Sequence, residues 1–399
     1  MVTQKERIFS TIWGETPDRL PYAPRIDLWY NANAVKGTLP DKYENMTVDE
    51  IARNEGWAIH RIVPEYKKPR KEADNLHRTI GIWSLKESVL NYRLATDIQV
   101  GAKQEGDDFI VEYHTPKGSV RTVTSYTEEM RRSGVSQEWV KEHAIKKRED
   151  YQVVGYIFDT IELIPDYDDF VSWSNGIGDD GIAATLGGRA ASPMHHIQKY
   201  FLDDTEFFYH YNDYQKEMRE LSECLEKFFN QTLEIIAKSP AEAALWGMSY
   251  DEMITYPPYF EKEIVPWLKK ASIKLGENNI ALISHCDGEN AGLIDLIHDS
   301  GIHVAEAVCP HPMTKIKIGE YYKKWSDKMT IFGGIPSNIL LPEIVTDDEF
   351  NDYLEYFFKA VTPGNRLIVG VADSTPPDAD FDRLIRIGDR IEKEGRLPL

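Results

Sequence analysis

Residues 279–310 read NIALISHCDGENAGLIDLIHDSGIHVAEAVCP. An apolar run ends at His285, a stretch of helical spacing occupies 289–300, and a second apolar run fills 303–308. Two short buried strands joined by a helix of this length make a parallel pair, because parallel neighbours cannot be joined by a tight turn. The same alternation extends in both directions. Strands are expected at 243–249, 279–285, 303–308, 329–333 and 366–371, with helices near 260–275, 289–300, 316–326, 347–360 and 378–394. Five strands in a row at this spacing fit a (β/α)8 TIM barrel of the α/β class. No G-x-G-x-x-G fingerprint follows any of them to argue for a dinucleotide-binding open sheet.

The first half is less regular. A helix is expected at 4–14, after which PDRLPYAPRIDLWY (17–30) leads into the first barrel strand. Region 77–126 reads as an inserted antiparallel β-hairpin near the barrel mouth: DDFIVEYH and SVRTVTSY alternate apolar and polar residues around Thr115-Pro116-Lys117-Gly118. Residues 204–238 carry helical spacing and belong outside the barrel. No linker divides the chain, so 1–399 is expected to form a single domain.

Composition narrows the function. The 399 residues are 42% hydrophobic and 11% aromatic, enough for a sizeable core. Forty-six basic against sixty-six acidic residues leave a net charge of −20, which repels phosphate backbones and anionic lipid and argues against nucleic acid as a partner. No apolar run approaches a membrane span and no signal-peptide pattern opens the chain, so a cytoplasmic location is expected. The cysteines, Cys224, Cys286 and Cys309, form no disulfide framework.

Chemistry in such a barrel sits on strand ends and the loops after them. His285 and Asp287 share one side of their strand by period-two alternation, with Cys286 on the other. One strand further on, HVAEAVCP places Glu306 inside an apolar run, where an unpaired carboxylate would cost several kcal/mol. Cys309 closes that rim. His285, Glu306 and Cys309 are ordinary zinc ligands, and each could equally be structural: a hydrogen-bonded histidine, a paired carboxylate, a small buried hydrophobe. Asp251 and Asp373, after two further strands, could act with Asp287 as acid or base, or simply cap helices. Trp29, Tyr30, Trp246 and Tyr250 could stack on a ring or pack in the core. His195 and His196 fall at a helix start, where a capping or solvent-facing role is expected.

Taken in order, KERIFSTIWGETPDRLP, HCDGENAGLIDLIHDSGIHVAEAVCPHP, FGGIPSNILL and TPGNRLIVGVADSTPPDADFDRL resemble the uroporphyrinogen decarboxylase superfamily over nearly the whole chain. That superfamily includes the decarboxylase and corrinoid-linked methyltransferases. Its decarboxylases carry an Arg-Gln-Ala-Gly-Arg-Tyr segment where this chain has Pro24-Arg25-Ile26-Asp27-Leu28-Trp29-Tyr30, and one arginine beside an aspartate is a poor cradle for a polyanion. The methyltransferase branch is the closer likeness. Its His-x-Cys pattern puts a histidine at His285 and a thiolate at Asp287, and a later cysteine falls around Ala372-Asp373; both thiolates are replaced here.

The resemblance therefore implies a zinc site built on His285 with Glu306 or Cys309. It also implies methyl transfer between a small methylated compound, foremost a methoxylated aromatic, and the cobalt of a corrinoid carried by a partner protein. No corrinoid-binding Asp-x-His-x-x-Gly segment occurs in the chain itself. Decarboxylation without metal and a non-catalytic ligand-binding barrel are the alternatives. The leading helix and the inserted hairpin offer surfaces on which a homodimer could form.

Overall fold

The computed structural model describes residues 2–63, 76–83 and 88–399. One parallel sheet runs in chain order through β1 (Ile59–Val63), β2 (Gly181–Gly188), β3 (Ala243–Met248), β4 (Ala281–His285), β5 (Val304–Val308), β6 (Thr330–Ile335) and β7 (Leu367–Val371). Each strand pairs with its successor and the order never reverses, so the sheet curls as a barrel does rather than opening as a doubly wound sheet. Helices cover its outer face, among them Gln215–Ala237, Val265–Gly276, Ile318–Trp325, Asp347–Ala360 and Phe381–Glu394.

Alternation along the strands separates two apolar sets. Ala243, Leu245, Met248, Ala281, Ile283, Val304, Phe332 and Ile368 cluster with Ile62, Ile182, Ala184 and Leu186 inside the curl. Ala244, Trp246, Leu282, Ala305, Ile331, Leu367 and Val369 face outward into the larger core under the helices. Helix Gln4–Trp13 closes the N-terminal end. Thr3 and Glu6 form its capping box, and Ile8 and Ile12 join the inner cluster. Thr330 Oγ1 donates to the Thr11 carbonyl at 3.0 Å and Arg366 Nη1 to that of Ile12 at 3.1 Å, pinning the helix beneath β6 and β7.

Among the described residues the expected closed eight-stranded barrel is not formed. Where an eighth strand would stand, an extended segment makes a single parallel bridge, Tyr22 to Val369, and accepts the Ala58 amide at the Tyr22 carbonyl, 2.8 Å away. Pro21 and Pro24 flank that bridge. Neither has an N–H to donate, so the ladder cannot propagate. The result is a seven-stranded curled half-barrel of mixed α/β class, compatible with a TIM-like fold, whose seam is spanned by an irregular segment.

The hairpin strands Asp108–Thr115 and Gly118–Ser125 pair around Pro116-Lys117, and Gln99–Glu105 and Trp139–Glu142 extend them to a four-stranded antiparallel sheet. Within region 77–126, residues 84–87 lie outside the described residues. The helical stretch expected at 204–238 breaks at Tyr214 into two helices, Asp204–Asp213 and Gln215–Ala237. Among the described residues no helix is long and apolar enough to cross a membrane.

Candidate metal centre

His285 ends β4 and Glu306 lies in β5, directly opposite in the register. Both side chains point into the curl, since each continues the alternation of the inner cluster: Ala281, Ile283, His285 and Val304, Glu306. Register shifts just before His285 and just after Glu306, and Ala307 adopts φ 61°, a bulge that turns the rim of β5. Glu306 is 1% exposed and binds Nδ1 of His285 in a short hydrogen bond.

That contact fixes which nitrogen is free for chemistry. On the other side of the ring, Nε2 lies 3.3 Å from an Asp287 oxygen and 3.3 Å from an Asp373 oxygen. Asp287 follows β4; Asp373 follows β7 and holds φ 54°, a left-handed conformation that aspartate tolerates better than most residues. Arg25, on the seam segment, reaches across to join them. Its Nη1 is 3.5 Å from Glu306 Oε1 and 3.2 Å from Asp373 Oδ1, and its carbonyl accepts the Thr375 amide at 2.8 Å. Asp373 keeps 49% of its side chain exposed, so the cluster opens to solvent on that side.

The charges are mutually dependent. Burial opposes a charged His285, but Asp287 and Glu306 outweigh it and raise the imidazolium well above its ordinary range. Burial likewise opposes the carboxylates. His285 overrides it at Asp287 and, with Arg25, at Glu306 and Asp373, so all three are held below the usual carboxylate range.

His Nε2 and one oxygen each from Asp287 and Asp373 lie within 4.8 Å of one another, a spacing that can hold a metal ion. The donor set fits one: Asp287 Oδ1 is buried without a well-aligned hydrogen-bond donor, and a carboxylate on Nδ1 is the usual device for orienting a metal-binding imidazole. Of the candidate ligands His285, Glu306 and Cys309, only His285 belongs to this trio. Glu306 is committed to Nδ1. Cys309 is buried, donates to the Ala307 carbonyl at 3.2 Å, and burial pushes its thiol up to about 12. Cys286 is buried as well, and its thiol is also pushed up by burial.

The other candidates are placed as follows. Asp251 ties two loops together, accepting the Met253 amide at 2.9 Å and the Glu289 amide at 3.2 Å. Trp29 is 3% exposed against Phe381, with ring centroids 4.4 Å apart, and Tyr30 is half-buried at the edge of the same core. Trp246 faces outward from β3 and donates to the Ala191 carbonyl at 3.2 Å. Tyr250 is fully buried with its hydroxyl 2.8 Å from Ser284 Oγ. His195 and His196 are buried at 2% and 3% exposure rather than solvent-facing, because Ser192 caps their short helix and leaves both rings in the core. Arg25 is the site residue whose role the sequence did not reveal. Its expected neighbour Asp27 instead pairs with Arg61 at 3.2 Å, which leaves Arg25 to the rim.

No protein-family model matches the sequence, and no curated protein matches it. Among solved structures, a methyltransferase from Methanosarcina mazei has a similar fold, with a TM-score of 0.55 over 98% of this chain and 99% of the other, at 12% identity. That likeness extends to the whole fold and to no particular activity.

Proposed function

We propose that the chain is a methyltransferase that takes a methyl group from a small methylated compound, a methoxylated aromatic foremost, with a divalent metal held by His285, Asp287 and Asp373. The observation that carries this reading is the convergence of His285 Nε2 with two carboxylate oxygens while Glu306 holds Nδ1. The two aspartates stand where the family likeness puts cysteine thiolates. The fold shared with a methyltransferase is consistent with the reading. Zinc bound there would act as a Lewis acid on the departing ether oxygen. The chain's own residues then have defined tasks. Glu306 fixes the imidazole tautomer, Arg25 holds Glu306 and Asp373 in place, and the open side at Asp373 admits substrate. The methyl acceptor would be a corrinoid on a separate protein, whose reduced cobalt would supply the nucleophile while the departing ether oxygen would keep the electron pair of the broken carbon–oxygen bond.

A second reading is favoured by the raised basicity of His285: without metal, its imidazolium would donate a proton to the leaving group. Elemental analysis of protein purified without chelators separates the two. Near-stoichiometric zinc, lost in His285→Ala and Asp287→Ala together with methyl transfer from methoxybenzoates to reduced cobalamin, is the expected result. A metal-free protein would return the reaction to His285 as acid.

A further inference from the structure

Asp287 stands on irregular chain: β4 ends at His285, and the next regular element begins only at Ile294. Asp373 has Arg25 to hold it, at 3.2 Å. Among the described residues Asp287 forms no ion pair with an arginine or lysine. Its carboxylate nevertheless converges with that of Asp373 on His285 Nε2, an arrangement that two like charges oppose. What keeps Asp287 there is the path of its backbone, and the turn after β3 fixes that path. Ser249 holds φ 62° and donates its amide to the His285 carbonyl at 2.9 Å, so the turn starts against the end of β4. Gly288 follows Asp287 at φ 100°, and a Cβ there would lie 2.7 Å from the Tyr250 carbonyl oxygen, which leaves no room for a side chain. The fully buried Asn290 donates Nδ2 to that same carbonyl at 2.8 Å. Asp251 accepts the Glu289 amide at 3.2 Å, and the Glu289 carbonyl accepts the Glu252 amide at 2.9 Å. Asp251 is itself fixed, since its other oxygen takes the Met253 amide and its carbonyl the Thr255 amide.

We infer that Asp251 and Asn290 are positioning residues for the candidate metal ligand Asp287. They fasten its loop to the turn after β3 and so hold its carboxylate opposite His285 Nε2 whether or not an ion is bound. This rests on the His285–Asp287–Asp373 cluster being the metal centre. Donors that are already placed lose little freedom when they bind. A loop released from the turn lets the like charges of Asp287 and Asp373 move apart, and an ion must then gather them again.

The test is the zinc affinity of the full-length protein by chelator competition, together with the visible spectrum of the cobalt(II)-loaded protein, which reports the geometry of the ligands. Asn290→Ala and Asp251→Ala should each weaken zinc about 10–100-fold and alter the cobalt(II) bands. Asp251→Asn keeps one acceptor oxygen and should lose less than Asp251→Ala. Ile12→Ala, destabilised at the opposite end of the sheet, controls for lost stability alone and should match the parent in both readouts. Parent-like zinc affinity and cobalt(II) bands in Asn290→Ala and Asp251→Ala, or losses that Ile12→Ala shares, would overturn the positioning role and leave the metal centre standing. A parent protein that takes up neither zinc nor cobalt(II) would overturn the metal centre itself, and the positioning role with it. If Asn290→Ala does not fold by circular dichroism, the Asp251→Ala result decides.

Discussion

His285 and Glu306 share one short hydrogen bond at Nδ1, and that bond leaves Nε2 facing Asp287 and Asp373. The carboxylate therefore acts through the imidazole. Glu306→Gln keeps the shape but can no longer hold the Nδ1 proton as strongly, so zinc affinity should fall about 10–100-fold while some metal is retained. Asp287→Ala removes a donor outright and should abolish stoichiometric binding. Competition with a chromogenic chelator measures both. Equal losses in the two variants would mean that Glu306 ligates the metal directly.

Arg25 links Glu306 to Asp373 through one nitrogen, across the irregular seam of the sheet. Replacing it with methionine leaves a buried carboxylate short of a donor, a loss of about 1–3 kcal/mol. Arg25→Lys should recover part of the loss, because both contacts are made from one nitrogen and an ammonium can donate to two carboxylates. Denaturant unfolding of the metal-free protein gives the stability cost. A larger fall in kcat than in substrate affinity would accord with a positioning role. An Arg25→Met variant as stable and active as the parent would remove Arg25 from the site.

Much of the C-terminal half is legible in the sequence because β3 to β7 are buried on both faces and so read as short apolar runs such as ALISH and VAEAV. The strands β1 and β2 are hidden for the opposite reason. IHRIV carries His60 and Arg61, and GIAATLGG is mostly small residues, so neither shows an apolar period. At the rim, the residue types are readable and the geometry is not. Which nitrogen Glu306 takes depends on a bulge at Ala307, and Arg25 meets Asp373 only because the seam segment lies between β1 and β7.

The helix beneath the sheet should matter for stability and not for metal. Ile12 is 1% exposed in the inner cluster, at the end opposite His285. Ile12→Ala should cost about 2–5 kcal/mol through lost burial and the cavity left behind. Its zinc content should equal the parent's. A variant that lost metal in proportion to stability would show that plug and rim are coupled through the strands.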